Sequence, residues 1–425
     1  MPLLTALLTA ALTSAETTPK YCGRAGSGVD ELRAPQTEAS LRSVQVIARH
    51  GARAPVADCG RWLPAAAGAT WPCPGEAVEG VAPGSTYRLR SGVKDECGPG
   101  ELLEEGFAQH RALGRALREA YWAPGAVGKL PTDHITLRSS DLPRTRRSAE
   151  ALADAFAPSA DPRDLYAPTF ATDWIYPNSN ECPALAALER AAFAAPAFVA
   201  RNASDLGALA NKLAPALGPV DFGLDDGMAG GHLMDCAAAA ACSGRAFALP
   251  PDDVDALIAA MERREAFKLT PRYARTVTSP LVAALRARLN STGLSVFLAH
   301  DTTLMPLLVA LTTDYDGAWA PYAAAVVVET WTLPDGSDAV RVAYDGAYRT
   351  LAGCPSQELC PVDAFLAATA WVRDRDCSAA PRVGSLRVDA GDAPANGSVV
   401  VAFAAGAAAA LLANVWIQRG GARML

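Results

Sequence analysis

The stretch SVQVIARHGARAP, residues 43–55, joins a strand pattern to a histidine that is flanked by arginines. Its first six residues are rich in β-branched side chains, which favour a β-strand. Arg49, His50, Gly51 and Arg53 follow that strand, in the position where an open α/β sheet binds its ligands. Each guanidinium group offers a planar fork of donors that matches phosphate oxygens, and glycine lets the backbone approach closely. The stretch therefore indicates a phosphate-binding loop at a strand end.

Polar residues follow two other predicted strands in the same way. The segment RSSDLPRT, residues 138–145, follows a strand predicted over 134–138, and AHDTT, residues 299–303, follows a strand predicted over 294–299. An Arg-His-Gly triplet alone is also typical of a polar surface turn. Three strand ends that each carry a phosphate-compatible or an acid/base residue instead predict one shared site.

Short strand patterns alternate with longer helical ones along the chain, which predicts an α/β fold. We expect a three-layer α/β/α sandwich with a mostly parallel central sheet and a smaller helical domain inserted at about 161–279. Besides the strands above, the hydrophobic periodicity predicts strands over 325–331 and 340–344 and helices over 102–121 and 144–156.

These motifs resemble those of the histidine acid phosphatase family, in the wider phosphoglycerate-mutase-like clan, over roughly residues 43–365. The likeness includes the family's Arg-His-Gly signature, its first long helix, its third phosphate-arginine segment, its His-Asp segment and a short disulfide loop of the animal prostatic and lysosomal enzymes. In this chain the corresponding segments lie at residues 44–55, 105–114, 138–145, 299–304 and 354–361.

The resemblance implies an acid phosphatase that hydrolyses phosphate monoesters through a phosphohistidine intermediate. His50 is the implied nucleophile, and Asp301 is the implied donor of a proton to the leaving alcohol. The residues implied to hold the phosphate oxygens are Arg49, Arg53, Arg138 and His300. Cations around His50 disfavour its protonated form, whereas Asp301 must be protonated, so we expect a pH optimum near about 4 to 6.

Other polar residues near these motifs are assigned structural roles. His110 falls on the apolar face of the helix over 102–121 and is predicted to be a core hydrogen-bonding residue. Arg144 could reach phosphate, but we favour a role in which it tethers the start of the next helix to the site loop. Asp141 fits a helix cap at least as well as a substrate contact. The five histidines have no metal-ligand spacing, so we predict no metal, and no other cofactor is expected.

Two alternatives stay open from the sequence. One is a membrane-tethered, catalytically inactive binding protein on a phosphatase fold, and the other is a more specialised phosphatase for sugar or inositol phosphates. Family members that act on inositol polyphosphates commonly carry His-Ala-Glu where this chain has His300-Asp301, which disfavours a phytase-like role. The net charge of −7, without a long basic block, argues against nucleic acid. The expected partners are a small phosphomonoester and, by the resemblance, a second copy in a homodimer.

The ten cysteines indicate disulfide bonds and an oxidising compartment. Cys354 and Cys360 close a short loop and are the pair that we predict first, while the other pairings stay open. Asn202, Asn290 and Asn396 each begin an Asn-x-Ser/Thr triplet and are predicted glycosylation sites.

The two ends of the chain predict a membrane protein of the secretory pathway. An apolar run indicates a signal peptide over 1–15, and an uncharged run indicates a transmembrane helix over 399–417. Two arginines follow the second run, so we expect a single-pass protein whose catalytic domain is luminal, in a lysosome or the Golgi, or extracellular. The remaining predicted parts are a catalytic domain over 40–380, a stalk over 381–398 and a cytoplasmic tail over 418–425. A removed tail with a lipid anchor is the competing interpretation.

Overall fold

The SVQVIAR run forms the strand β1 in the middle of a mixed sheet. The computed structural model describes residues 19–60, 62–63, 71, 73, 86–88, 97–123, 127, 130, 135–156, 164–218, 228–354 and 358–377. Its strands are β1 Ser40–Arg49, β2 Thr86–Arg88, β3 Ile135–Ser139, β4 Asp164–Tyr166, β5 Gly293–Ala299, β6 Ala325–Thr332, β7 Asp338–Tyr344, β8 Ala347–Tyr348 and β9 Cys360–Pro361. They are ordered β2-β4-β3-β5-β1-β6-β7-β8, and β9 pairs with β7. The five predicted strands correspond to β1, β3, β5, β6 and β7.

The expectation of a mostly parallel sheet is wrong, because only its middle is parallel. β4, β3, β5 and β1 pair in parallel, whereas β6 is antiparallel to β1 and β7, and β7 is antiparallel to β8 and β9. Asp345 and Gly346, both with positive φ, connect β7 to β8. A turn of this length joins only antiparallel strands, since a parallel pair needs a crossover of about a dozen residues.

Helices cover both faces of the sheet. The described helices are α1 Glu104–Tyr121, α2 Pro143–Phe156, α3 Ala184–Phe193, α4 Pro196–Leu217, α5 Met228–Cys242, α6 Pro251–Ala266, α7 Pro271–Ala287, α8 Asp301–Leu311 and α9 Val362–Ala368. Val44 and Val46 of β1 pack with α1 and α2, whereas Ile47 packs with α7 and α8 on the opposite face. Successive side chains of a strand point to opposite faces, so the expected three layers are present.

Helices α4 to α6 surround a smaller apolar core of their own. Its buried members include Leu209, Leu213, Leu233, Leu257, Ile258 and Met261. The predicted insertion over 161–279 also includes β4, which belongs to the sheet, and the first half of α7, a helix whose second half packs in the outer layer. Since β4 is only three residues long, it has no alternation that a sequence pattern would reveal.

All ten cysteines form disulfide bonds, and the predicted pair Cys354–Cys360 is one of them. The other pairs are Cys22–Cys242, Cys59–Cys236, Cys73–Cys97 and Cys182–Cys377. Two of these bonds end on α5, at Cys236 and Cys242. The bond to Cys59 links α5 to the loop that follows β1, and the bond to Cys22 links α5 to the segment that precedes β1.

No helix in the described part of the chain is both long and apolar enough to cross a bilayer. The predicted signal peptide, stalk, transmembrane helix and tail, and also Asn396, lie outside the described residues. Asn290 is exposed after α7, as an acceptor of a bulky glycan must be. Asn202 is only 8% exposed inside α4, so its burial contradicts the predicted glycosylation there.

Candidate active site

The carboxyl end of β1 is fixed by the strands on both sides. The His50 amide donates to the Ala299 carbonyl at 3.0 Å, and the His50 carbonyl accepts from the Ala323 amide at 3.0 Å. Ala299 is the last residue of β5, and Ala323 comes shortly before β6. The backbone of His50 is therefore held at the middle of the sheet edge.

Two glycines let α1 approach the loop after His50. A Cβ atom on Gly51 would overlap the backbone of Gly106, and a Cβ atom on Gly106 would overlap the Ala52 carbonyl. Only glycine at both positions permits this contact, which fixes the loop against the first turn of α1.

Two neighbouring polar side chains of α1 hold the same loop. The Gln109 side chain accepts from the Ala52 amide at 2.9 Å, and His110 Nε2 donates to the Arg49 carbonyl at 3.0 Å. His110 is fully buried, and burial lowers its pKa to about 4. This environment agrees with the predicted core role of His110.

The imidazole of His50 is 2% exposed and has a defined tautomer. Its Nδ1 lies 2.9 Å from the Gly51 carbonyl oxygen, which can only accept, so Nδ1 carries the proton and Nε2 carries the lone pair. Burial lowers the pKa of His50 well below 6.5, and the charges of Arg144 and Arg49 lower it further. His50 therefore remains neutral in acid, with a lone pair on Nε2.

Three arginines gather at this edge of the sheet. Arg49 Nη2 lies 2.8 Å from Asp301 Oδ2, and Arg53 Nη2 lies 2.7 Å from Asp235 Oδ1. Arg144 Nε is buried with no hydrogen-bond partner among the described residues. Burial, reinforced by the charge of Arg53, lowers the pKa of Arg144 to about 10. Because buried like charges repel one another, the cluster favours a bound anion.

Arg138 has a different environment, which contradicts its predicted contact with phosphate. Its Nη2 donates to Asp173 Oδ1 at 2.6 Å, and its guanidinium carbon lies 3.9 Å from the Trp174 ring centroid. Arg138 lies within β3, so its side chain points to a face of the sheet and not beyond the strand end. Arg144, for which a tethering role is favoured over a phosphate contact, lies past that end in α2, and its charge acts on His50.

Asp301 lies in the first turn of α8 and has three polar neighbours. Its Oδ2 faces Arg49 and accepts from Trp319 Nε1 at 2.9 Å, and its Oδ1 accepts from the Thr302 amide at 2.7 Å. Burial alone would raise the pKa of Asp301, but the charge of Arg49 and that of His300 keep it below 3.8. Without a substrate the carboxylate is therefore ionised and holds Arg49.

His300 completes the edge of the site next to His50. The two imidazole ring centroids are 5.4 Å apart, and His300 Nε2 lies 2.8 Å from Ser140 Oγ. Burial, followed by the charge of Arg144, keeps the pKa of His300 well below 6.5. His300 and Ser140 reach this point from two adjacent strands, β5 and β3, as the predicted convergence of strand ends requires.

Sequence reasoning missed Asp235 and Tyr322. Besides pairing with Arg53, Asp235 accepts from the Val56 amide at 2.7 Å, so it holds both the side chain and the loop that follows it. The Tyr322 ring centroid lies 4.2 Å from the guanidinium carbon of Arg49. Asp235 lies in the Ala-rich α5, far along the chain from β1, and no local pattern marks it.

Among the described residues, one group has metal-ligating atoms close together: Cys73, Cys97 and Glu101. The two sulfur atoms form a disulfide bond, so neither is a thiolate that could bind zinc. The group therefore offers one carboxylate at most.

A buried histidine, clustered arginines and a His-Asp pair, all at the carboxyl edge of an α/β sheet, resemble the arrangement of histidine phosphatases. A family model described as "Histidine phosphatase superfamily (branch 2)" matches residues 40–176. The chain matches this superfamily from β1 to the residues that follow β4.

Curated relatives support the same family. Human lysosomal acid phosphatase is 27% identical over 421 residues, which cover 89% of this chain and 87% of the relative. Lysophosphatidic acid phosphatase type 6 of Mus musculus is 26% identical and covers 77% of this chain and 84% of the relative. Counting factor 60 of Dictyostelium discoideum is 27% identical, with 77% and 84% covered.

Solved structures share the fold. The Hafnia alvei phytase bound to myo-inositol hexakis sulphate has a TM-score of 0.56 at 16% identity and covers 79% of this chain and 98% of its own. A Klebsiella phytase has a TM-score of 0.56 at 18% identity, with 81% and 99% covered. At this identity the likeness concerns the fold alone.

Proposed function

We propose that this protein is an acid phosphatase that hydrolyses phosphate monoesters through a phosphohistidine on His50. The observation that carries the proposal is the buried imidazole of His50. It carries its proton on Nδ1 and lies beside the arginine cluster. Its lowered pKa keeps Nε2 nucleophilic in acid, where a free histidine would be charged. The named relatives include acid phosphatases, which supports the same reaction.

In the proposed first step, Nε2 of His50 attacks phosphorus as the bond from phosphorus to the leaving oxygen breaks. Arg49, Arg53 and Arg144 neutralise the phosphoryl oxygens, since charge neutralisation and positioning are the main requirements of phosphoryl transfer. Asp301 gives its proton to the leaving alcohol. In the second step the oxygen of a water molecule attacks phosphorus, the bond from phosphorus to Nε2 breaks, and the water gives a proton to Asp301. Inorganic phosphate is released and His50 is restored.

Asp301 must gain a proton before the first step. In the unliganded site Arg49 stabilises its carboxylate, so its pKa is low. A phosphate dianion that binds Arg49 offsets that positive charge and adds negative charge nearby, and both effects raise the pKa of Asp301. Binding of substrate therefore favours the protonated acid that the reaction needs.

These directions predict an acid optimum. We expect kcat/KM for p-nitrophenyl phosphate to be highest at about pH 4 to 6, since His50 stays neutral there while Asp301 can still be protonated in the complex. Initial rates across the pH range, with circular dichroism at each pH to check folding, would measure this. An optimum above neutral pH would contradict the assigned roles.

The two arginines at and after β3 should respond differently to removal. Arg144→Ala is expected to lower kcat/KM for phosphate monoesters by about 100-fold, because one donor to the phosphoryl group is lost. Arg138→Ala is the matched control and should change kcat/KM of the folded protein by less than about threefold. It should instead lower the free energy of unfolding by about 3 kcal/mol, because the fully buried Asp173 loses its cationic partner. A larger kinetic loss for Arg138→Ala would reverse the assignment.

We further propose that the protein resides in a lumen of the secretory pathway. The five disulfides and the lysosomal relatives support an oxidising lumen. A single-pass anchor over 399–417, glycosylation of Asn290 and Asn396, and a homodimer complete this proposal. To test the topology, the chain would be inserted into microsomes and treated with protease, from which a luminal domain is protected. Glycosidase treatment would test the glycosylation.

A further inference from the structure

The N-terminal segment, residues 19–31, packs on the elements that support His50. It precedes the residues that the family model matches, which begin at residue 40. Gln109 of α1 donates to the Cys22 carbonyl at 2.6 Å, and the Ala325 amide of β6 donates to Ser27 Oγ at 2.9 Å. The N-terminal segment is therefore joined to both α1 and β6 near the site.

Tyr21 is held in place by its neighbours in the N-terminal segment. Its carbonyl accepts from the Tyr322 amide at 3.2 Å, and the disulfide bond of Cys22 with Cys242 fastens the next residue to α5. Gly23, with φ of 80°, packs so closely on the Tyr322 backbone that a Cβ atom would overlap its carbonyl oxygen. The position of the Tyr21 side chain is thus fixed relative to Tyr322, whose ring contacts Arg49.

Tyr21 lines a pocket that opens beside Asp301. The lining residues are Tyr21, Arg49, Arg53, Met234, Asp235, Ala238, Ile258, Asp301, Trp319 and Tyr322. Because a proton donor must be next to the leaving oxygen, the alcohol part of a substrate lies on the Asp301 side of the phosphorus atom. The pocket, which Asp301 lines, is therefore the candidate position of the leaving group.

The lining favours an apolar leaving group. Its cations are Arg49 and Arg53, and both belong to the proposed phosphate site and already face carboxylates. The other side chains that the structure describes there are two carboxylates and six apolar or aromatic groups, among them Trp319 and Ile258. A second phosphate in this pocket would lie against carboxylates and apolar carbon, with no further cation from the described residues.

The hydroxyl group of Tyr21 is a polar group that the described residues leave without a hydrogen bond. Its oxygen is buried and has no hydrogen-bond partner within the described part of the chain. A buried hydroxyl without a partner is unfavourable, and an acceptor on a bound ligand would satisfy it. Tyr21 therefore lines the pocket and also carries a buried hydroxyl without a partner among the described residues.

We infer that Tyr21 is a specificity-determining residue that contacts the leaving group, and that the preferred substrates are monophosphates of apolar or aromatic alcohols. This inference rests on the proposed phosphatase function and names the substrate class of the same site. It assigns substrate recognition to the N-terminal segment, which precedes the matched family residues.

The test compares kcat and KM of the full-length wild type, Tyr21→Ala and Tyr21→Phe on naphthyl phosphate and on β-glycerophosphate. Tyr21→Ala should lower kcat/KM for naphthyl phosphate by about tenfold, through KM, and should change that for β-glycerophosphate by less than about twofold. Tyr21→Phe keeps the ring and should cost about threefold on naphthyl phosphate. The inhibition constant of inorganic phosphate should not change, because the arginine cluster stays intact. Tyr166→Phe, at an exposed position on β4, is the matched control.

Each outcome has a distinct meaning. If the wild type is active and Tyr21→Ala changes kcat/KM equally for both substrates, or changes it for neither, the role of Tyr21 is overturned. An active wild type that prefers β-glycerophosphate or inositol hexakisphosphate to naphthyl phosphate overturns the substrate class. A folded wild type that hydrolyses no monoester refutes the proposed function, and this inference with it.

Discussion

His50→Ala is expected to lower kcat for every phosphate monoester by about 10,000-fold or more, because no phosphohistidine can form. The neighbouring side chains do not offer a substitute. His300 Nε2 is engaged with Ser140 Oγ, and the fully buried His110 donates to the Arg49 carbonyl behind the loop. Steady-state rates on p-nitrophenyl phosphate would measure the loss.

The control for this variant is His232→Ala, a partly buried histidine in α5. It should keep kcat within about twofold. Rapid quenching into alkali, which preserves phosphohistidine, should trap labelled phosphate on the wild type and on His232→Ala but not on His50→Ala. A labelled intermediate in His50→Ala, or a loss of kcat below about tenfold, would show that another group attacks phosphorus.

Asp301→Asn is expected to lower kcat for alkyl phosphates by about 1,000-fold, because an amide cannot protonate a departing alkoxide. The same variant should lose only about tenfold on p-nitrophenyl phosphate, whose leaving group departs without protonation. Asparagine is similar in size to aspartate, and its single carbonyl oxygen can still accept from either the Thr302 amide or Trp319 Nε1, but not from both. Comparing the two leaving groups thus separates proton transfer from packing.

The Arg49–Asp301 ion pair gives this experiment a second readout. Asp301→Asn frees Arg49 from its carboxylate partner, so inorganic phosphate should inhibit the variant at least as strongly as it inhibits the wild type. Equal losses on alkyl and nitrophenyl substrates, together with weaker phosphate inhibition, would mean that Asp301 positions Arg49 and does not donate a proton.

Much of the fold is encoded in local patterns. β1 and β5 are buried along most of their lengths, and their β-branched or apolar runs lead directly to His50 and to His300. The helices over 104–121 and 143–156 follow from hydrophobic periodicity in the same way. The extent of the antiparallel part did not follow from the strand patterns alone, because parallel and antiparallel strands share the same side-chain alternation.

Whether Arg138 or Arg144 is assigned to the phosphate site depended on where β3 ends. β3 ends at Ser139, so Arg138 is a strand residue that faces the sheet surface, whereas Arg144 lies beyond the end. Sequence patterns locate a strand but fix its ends only to within a few residues. An error of that size decides whether a side chain points at a sheet face or into a site.

The sequence by itself located two groups of the candidate site: Arg49, His50 and Arg53 at one strand end, and His300 with Asp301 at another. These groups are close together in the chain, so local patterns express them. Only the tertiary structure decided which distant residues complete the site. Asp235, which contacts Arg53, lies next to Cys236, whose disulfide bond joins residues 177 positions apart. Tyr21, which lines the proposed leaving-group pocket, lies next to Cys22, whose disulfide bond joins residues 220 positions apart. Contacts over such separations arise from packing of the whole chain, and no local periodicity or turn signal encodes them.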